Sequence, residues 1–202
     1  MIKNIIFDMG NVLAGFDAAK FCASRIPNEK DAALLCREVF SSVEWARLDR
    51  GVTTNAEAAA SIAERLPKRL HTEARWLIDH WYDHFKPDPA MEKCIARLKG
   101  LGLGIYLLSN AGFDFYTFRE SLKALRFFDG QLISAEVHLL KPDRQIFENL
   151  LKKFSLKAEQ CFFVDDMNGN VEAALNLGFS GMVYRGKVKE LEQTLQKAGI
   201  PM

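Results

Sequence analysis

The stretch Ile5-Ile6-Phe7-Asp8-Met9-Gly10-Asn11-Val12-Leu13 decides the fold of this chain. Its apolar run, Asn4 to Phe7, is short, carries β-branched and aromatic residues, and stops at a carboxylate. An uninterrupted apolar run of that length is the pattern of a strand buried on both faces, as in a parallel sheet. Gly10 lets backbone amides approach a ligand, so Asp8 at the strand end is placed to attack phosphorus or to hold a metal. Alone, an aspartate after a strand is also an ordinary turn or helix-capping residue.

Outward from Asp8 the same pattern returns at Gly104 to Leu108, Cys161 to Val164 and Gly181 to Tyr184, with a weaker fifth strand at Gln131 to Ser134. Helical periodicity fills the gaps at Pro89 to Gly100, at Asp143 to Phe154, and at Val171 to Leu177, where Gly178 is the stop. Strands alternating with helices of this length imply right-handed crossovers, hence an α/β fold with an open doubly wound, Rossmann-like parallel sheet. From about Gly15 to Pro87 the alternation breaks. No strand is expected there, and amphipathic segments run over Asp31 to Phe40, Asn55 to Arg65 and Thr72 to Phe85. The expected organisation is a core domain of residues 1–14 and 88–202 with a helical cap of residues 15–87. Because the insert follows the first strand, its ends meet the carboxyl edge of the sheet, where ligands bind in such folds, and a lid over the site is expected.

Composition narrows the function classes. Of 202 residues, 27 are basic and 26 acidic, and no run of like charge exists to neutralise a nucleic-acid backbone or an anionic membrane. Neither a nucleic-acid nor a membrane partner is expected. The start, MIKNIIFDMG, lacks the apolar length and cleavage site of a signal peptide, which points to the cytoplasm; a monomer with a small-molecule partner is expected. Cys22, Cys36, Cys94 and Cys161 lie far apart without metal-ligand spacing, so all are expected buried, reduced and inert.

Four further positions carry chemistry. The second strand ends in LLSNAG, where the Ser109 hydroxyl and the Asn110 amide are able to donate to a phosphoryl oxygen. Both are also common turn formers. Lys141 stands in HLLKPD, with Pro142 expected to open a helix; a single lysine is usually a solvated one. The string FFVDDMNGN places Asp165 beside Asp166, with Asn170 one turn on. Adjacent carboxylates repel and call for a cation or strong hydrogen bonds, and hard oxygen ligands suit magnesium.

In order, Asp8, Ser109-Asn110, Lys141-Pro142 and Asp165-Asp166 resemble the four motifs of the haloacid dehalogenase-like hydrolase superfamily, with a helical cap after the first motif. The string Arg47 to Thr54 is similar to a turn of that subfamily's cap. The resemblance covers nearly the whole chain. It implies that Asp8 is the nucleophile, Ser109 the phosphate binder, Lys141 the charge neutraliser, and Asp165 and Asp166 the source of the magnesium ligand beside Asp8. Hydrolysis of a small phosphorylated metabolite through an aspartyl-phosphate then follows, since a dianionic phosphate must be neutralised before a carboxylate attacks it. Phosphatases of the superfamily usually carry a second aspartate, as general acid and base, where this chain has Gly10. The glycine offers only its carbonyl to a metal. The first motif is similar to that of sugar-1-phosphate phosphatases. Asp17, at the entrance to the cap, is a substitute acid or a helix cap.

Three rivals share parts of this pattern. A 2-haloacid dehalogenase needs no metal, and the Asp165-Asp166 pair speaks against it. A phospho-acceptor signalling domain has its acidic pair at the first strand and no cap. A non-catalytic relative is made credible by Gly10 alone. His80 and His84, four apart, suggest a metal pair only weakly among Trp76, Trp81, Tyr82 and Phe85. Phe113, Phe115, Tyr116 and Phe118 are expected to serve packing before a pocket.

Overall fold

The computed structural model describes residues 1–202. Five parallel strands form the central sheet in the order β5-β4-β1-β6-β7, with β1 Asn4–Phe7, β4 Gly104–Ser109, β5 Gly130–Ile133, β6 Cys161–Asp165 and β7 Ser180–Val183. The strand β1 sits in the middle, its Ile5 level with Ile105 on one side and Phe162 on the other. Ile5, Ile6 and Phe7 are fully buried, which is why the run shows no polar alternation. The helices α6 (Pro89–Gly100), α9 (Arg144–Lys153), α10 (Asn168–Leu175) and α11 (Val188–Lys197) cover the two faces.

Between β1 and α6 lie β2 (Ala14–Gly15), the helices α1 (Ala18–Arg25), α2 (Glu29–Phe40), α3 (Val43–Asp49), α4 (Asn55–Ala63) and α5 (His71–His80), and β3 (Lys86–Pro87). Here the expectation of no strand is corrected. Ala14 pairs with Pro87 and Gly15 with Lys86 in an antiparallel ribbon, and the Asp88 N–H donates to the Leu13 carbonyl at 2.9 Å. Two residues per strand are too few to show any periodicity. The ribbon ties both ends of the helical segment to one point at the sheet edge. One apolar cluster runs from Ile5 and Ile105 of the sheet through Phe21, Val39, Leu77 and Trp81 of the helices, so the helical segment is docked on the sheet.

Short helices α7 (Phe115–Phe118) and α8 (Ser134–Val137) complete the chain. Other expected bounds also shift. The helix α10 opens at Asn168, before the expected Val171, and α9 opens after Asp143, whose carboxylate accepts from the Gln145 N–H, so Pro142 stays outside it. The helix expected over Thr72 to Phe85 ends at His80 and tightens into a 3-10 turn, Trp81–His84. His80 and His84 therefore share no helix face. His80 stacks on Trp76 and His84 lies against Phe21, in keeping with aromatic packing. Phe115 and Phe118 are buried, whereas Phe113 and Tyr116 are exposed. Cys22, Cys94 and Cys161 are buried free thiols, but Cys36 is only partly buried, a correction to the uniform expectation.

A buried acid pins the helical segment together. Glu44 of α3 accepts two hydrogen bonds from the Arg65 guanidinium, at 2.9 and 2.8 Å, and one from the Ser61 hydroxyl at 2.8 Å. The Arg65 bonds hold its carboxyl down at about 2. A depressed carboxylate stabilises the fold fully above its unfolded pKa, near 4.5, and loses that contribution as pH falls toward 2. Glu44→Gln is therefore expected to cost about 2 kcal/mol at pH 7, with the gap to wild type closing between pH 4.5 and 2. Urea unfolding across that range is the check; a gap independent of pH would reject the ion pair as its source.

Candidate active site

The carboxyl ends of β1, β4 and β6 and the loop after α8 converge on Lys141. This lysine is not the solvated residue that a lone lysine usually is; it is 4% exposed. Its ammonium donates to Asp8 Oδ1 at 2.6 Å, to Asp165 Oδ2 at 2.7 Å and to the Leu108 carbonyl at 2.8 Å. Three donors meet three acceptors, which is the condition for burying a charge. Burial works against the ammonium, but Asp8 and Asp165 outweigh it and raise its pKa. Asp8 itself is driven up to about 6, by burial first and by the neighbouring Asp165 charge, with Lys141 opposing.

The remaining residues divide the work. Asn110 does not simply face a ligand: its side-chain oxygen accepts from the Lys141 N–H at 2.8 Å and its amide donates to the Lys141 carbonyl at 3.0 Å. That reciprocal clamp holds the lysine's backbone, while Ser109, buried at the end of β4, takes no part in it. Asp165 is fully engaged. It accepts from Lys141, from the Met167 N–H at 2.8 Å, and from the Asn170 amide on both oxygens at 3.0 and 3.1 Å. Asp166 accepts one side-chain bond, from Asn11 at 3.1 Å, and burial raises its pKa. Carboxylate oxygens of Asp8, Asp165 and Asp166 lie within 4.8 Å of one another. Three acids against one ammonium leave an excess of negative charge that a divalent cation would neutralise, and their oxygens suit magnesium. The residues thus fit that ion. An added Cβ at Gly10 would come no nearer than 3.9 Å to Asp8 Oδ2.

Above these groups is a cavity of about 320 Å³. Its floor holds Asp8, Gly10, Asn110, Lys141 and Asn170, while Phe16, Phe40, Trp45, Trp81, Phe85 and Met167 form apolar walls. Asp17 is elsewhere. Its carboxylate caps α1 through the Lys20 N–H and pairs with the Lys20 ammonium at 3.1 Å, half exposed. One ionisable wall residue escaped the sequence reading: Asp49, at the end of α3. It lies within the Arg47 to Thr54 string that resembles a turn of the cap, but its neighbours Arg47 and Arg50 make it look like a solvated helix end, so the string gives it no chemical role.

A sequence profile of the haloacid dehalogenase-like hydrolases matches residues 2–178. The chain is 28% identical to a sesquiterpene phosphatase of Aspergillus oryzae over 89% of its length and 88% of the relative's. It is 31% identical to a glyceraldehyde 3-phosphate phosphatase of Methanocaldococcus jannaschii over 53% of this chain and 48% of that one. Among solved structures, an enzyme of the same family from Bacteroides thetaiotaomicron, crystallised with magnesium and inorganic phosphate, aligns with TM-score 0.68 at 20% identity, covering 92% of this chain and 95% of the other.

Proposed function

The chain belongs to the haloacid dehalogenase-like hydrolase family, and from that premise we propose that it is a magnesium-dependent phosphatase that cleaves a small phosphate monoester through an aspartyl-phosphate on Asp8. The cluster of Asp8, Asp165 and Asp166 around the buried Lys141 ammonium carries this proposal, since it pairs a nucleophile with the charge that must neutralise a phosphate. The named phosphatases among the relatives support it.

Residues 15–87 act as the cap and residues 1–14 with 88–202 as the catalytic core. Asp8, Asp166 and the Gly10 carbonyl would hold the magnesium, because Asp165 already accepts from Lys141, Asn170 and the Met167 N–H. When bound, the ion would offset the charge of the phosphate and polarise its oxygens. Asp165 orients Lys141, whose ammonium steadies the Asp8 carboxylate for attack. Ser109 binds a phosphoryl oxygen. The docked helices exclude water from the cavity, which favours the first transfer over direct hydrolysis.

The walls speak to the alcohol. Phe16, Phe40, Trp45, Trp81 and Phe85 give a sugar few hydrogen bonds but bury hydrocarbon well. An apolar alcohol such as a prenyl chain fits better than a hexose, in keeping with the fungal relative. Phosphate release from prenyl, hexose and triose phosphates, with magnesium and with excess chelator, tests both halves. Chelation should abolish release, and Trp81→Ala should raise KM for a prenyl phosphate roughly tenfold while changing that for a triose phosphate little. Chelator-resistant halide release from 2-chloropropionate would favour the dehalogenase rival. Preference for a hexose phosphate would refute the apolar assignment alone.

A further inference from the structure

We propose that Asp49 of the cap is the proton donor to the departing alcohol and the proton acceptor for the hydrolytic water, in place of the side chain that Gly10 lacks. The proposal rests on the phosphatase function argued above.

Of the residues lining the cavity over Asp8, only Asp8, Lys141 and Asp49 are ionisable. Asp8 is the nucleophile, and all three donors of Lys141 are engaged. Asp49 is the one that remains. No protein group donates a hydrogen bond to its carboxyl. Its position is nonetheless set by the backbone around it. The Ser134 hydroxyl donates to the Asp49 carbonyl, and the His138 ring meets the Arg50 carbonyl at 2.9 Å. Gly51, at φ +69°, packs so closely that an added Cβ would lie 2.7 Å from the Ala135 carbonyl. Gly112 allows a similar approach of the Leu48 carbonyl. The last turn of α3 is thereby anchored to the ends of β4 and β5, with the Asp49 side chain free to meet a ligand. Burial, and then the charge of Asp8, push its carboxyl up to about 7 against the pull of Lys141, so a proton is available near neutrality. Across the wall the charged neighbour is Asp114, itself bound to Asn55 at 3.2 Å.

The step balances. An Asp8 oxygen bonds to phosphorus as the bond from phosphorus to the ester oxygen breaks, and the Asp49 proton passes to that oxygen, releasing a neutral alcohol. Asp49 is left as a carboxylate. It then takes a proton from the water whose oxygen attacks phosphorus, the bond to Asp8 breaks, and hydrogen phosphate leaves with both acids restored.

The test is a plot of log kcat/KM against leaving-group pKa for wild type and Asp49→Asn, using 4-nitrophenyl phosphate and a series of alkyl phosphates with magnesium. Asp49→Asn should lower kcat/KM for alkyl phosphates about 100-fold or more, while kcat/KM for 4-nitrophenyl phosphate, which reports only formation of the aspartyl-phosphate and whose leaving group needs no proton, changes less than about fivefold; kcat for 4-nitrophenyl phosphate should fall, because the aspartyl-phosphate has then lost its base. The slope should steepen accordingly. Equal losses of kcat/KM on all substrates would overturn the proposal in favour of a positioning role, and an unchanged slope would overturn it as well. Because 4-nitrophenyl phosphate hydrolysis also reports the fold and Asp8, its absence in wild type would instead refute the phosphatase function from which the proposal starts.

Discussion

Asp8→Asn should lower turnover of any phosphate monoester by roughly 10⁴-fold or more, the scale seen when a nucleophile is removed from a group of residues that act together. The amide has nearly the volume of the carboxylate but no lone pair able to displace an alcohol from phosphorus. Lys141 would lose one of its two charged partners and keep Asp165 and the Leu108 carbonyl. The buried acid being replaced is one that burial already drives toward its neutral form, at about 6. Tm is therefore expected to stay within a few degrees of wild type. Single-turnover assays with labelled phosphate check the chemistry directly, since wild type should trap label on the protein and the variant should not. Activity above about one per cent of wild type would remove Asp8 from the nucleophile's position.

Lys141→Met should fail in a different way, losing stability and activity together. The thioether fills much of the same space but leaves Asp8, Asp165 and the Leu108 carbonyl facing one another without a donor. Stranding buried partners of an ion pair costs about 3–5 kcal/mol, which for a chain of this length lowers Tm by roughly 10 °C. Turnover should drop at least roughly 10³-fold, because the repulsion between phosphate and carboxylate is no longer offset. Calorimetry without magnesium, followed by assays well below the lowered Tm, separates the two effects. Near-wild-type Tm would mean that the carboxylates can relax apart, contrary to the close packing around Lys141.

These two variants act on residues that were legible from the chain alone, and the contrast with Asp49 shows where legibility stops. Asp8, Ser109 and Asp165 stand at the ends of runs that the sheet buries on both faces, so each is marked by an abrupt change from apolar to polar. Lys141 was legible only in company, since nothing about one lysine beside a proline announces a buried ammonium. Asn110 was found but not its task, because a clamp on the backbone of residue 141 joins positions 31 apart. Several helices, α3 and α11 among them, have no counterpart among the expected elements. In α3, Glu44 is buried by Arg65 of the turn after α4 and reads as a surface acid in the string. In α11, charged residues crowd a core stripe of only Leu191 and Leu195.

The chain by itself determined the parallel sheet, the order of the four chemical positions along its edge, and the helical insert after the first of them. Those are properties of local pattern, since a strand buried on both faces and a carboxylate that ends it are written in adjacent residues. Only the tertiary structure decided which acid does what. Asp165 is turned inward to Lys141 and Asn170 while its neighbour Asp166 is left with Asn11. Asp17 is tied to its own helix while Asp49, 32 residues further along the chain, is carried over Asp8 by a turn that only glycine at position 51 allows to dock. A carboxylate's task depends on the donors and charges within a few ångströms of it, and those come from parts of the chain whose distance apart in sequence leaves no local trace.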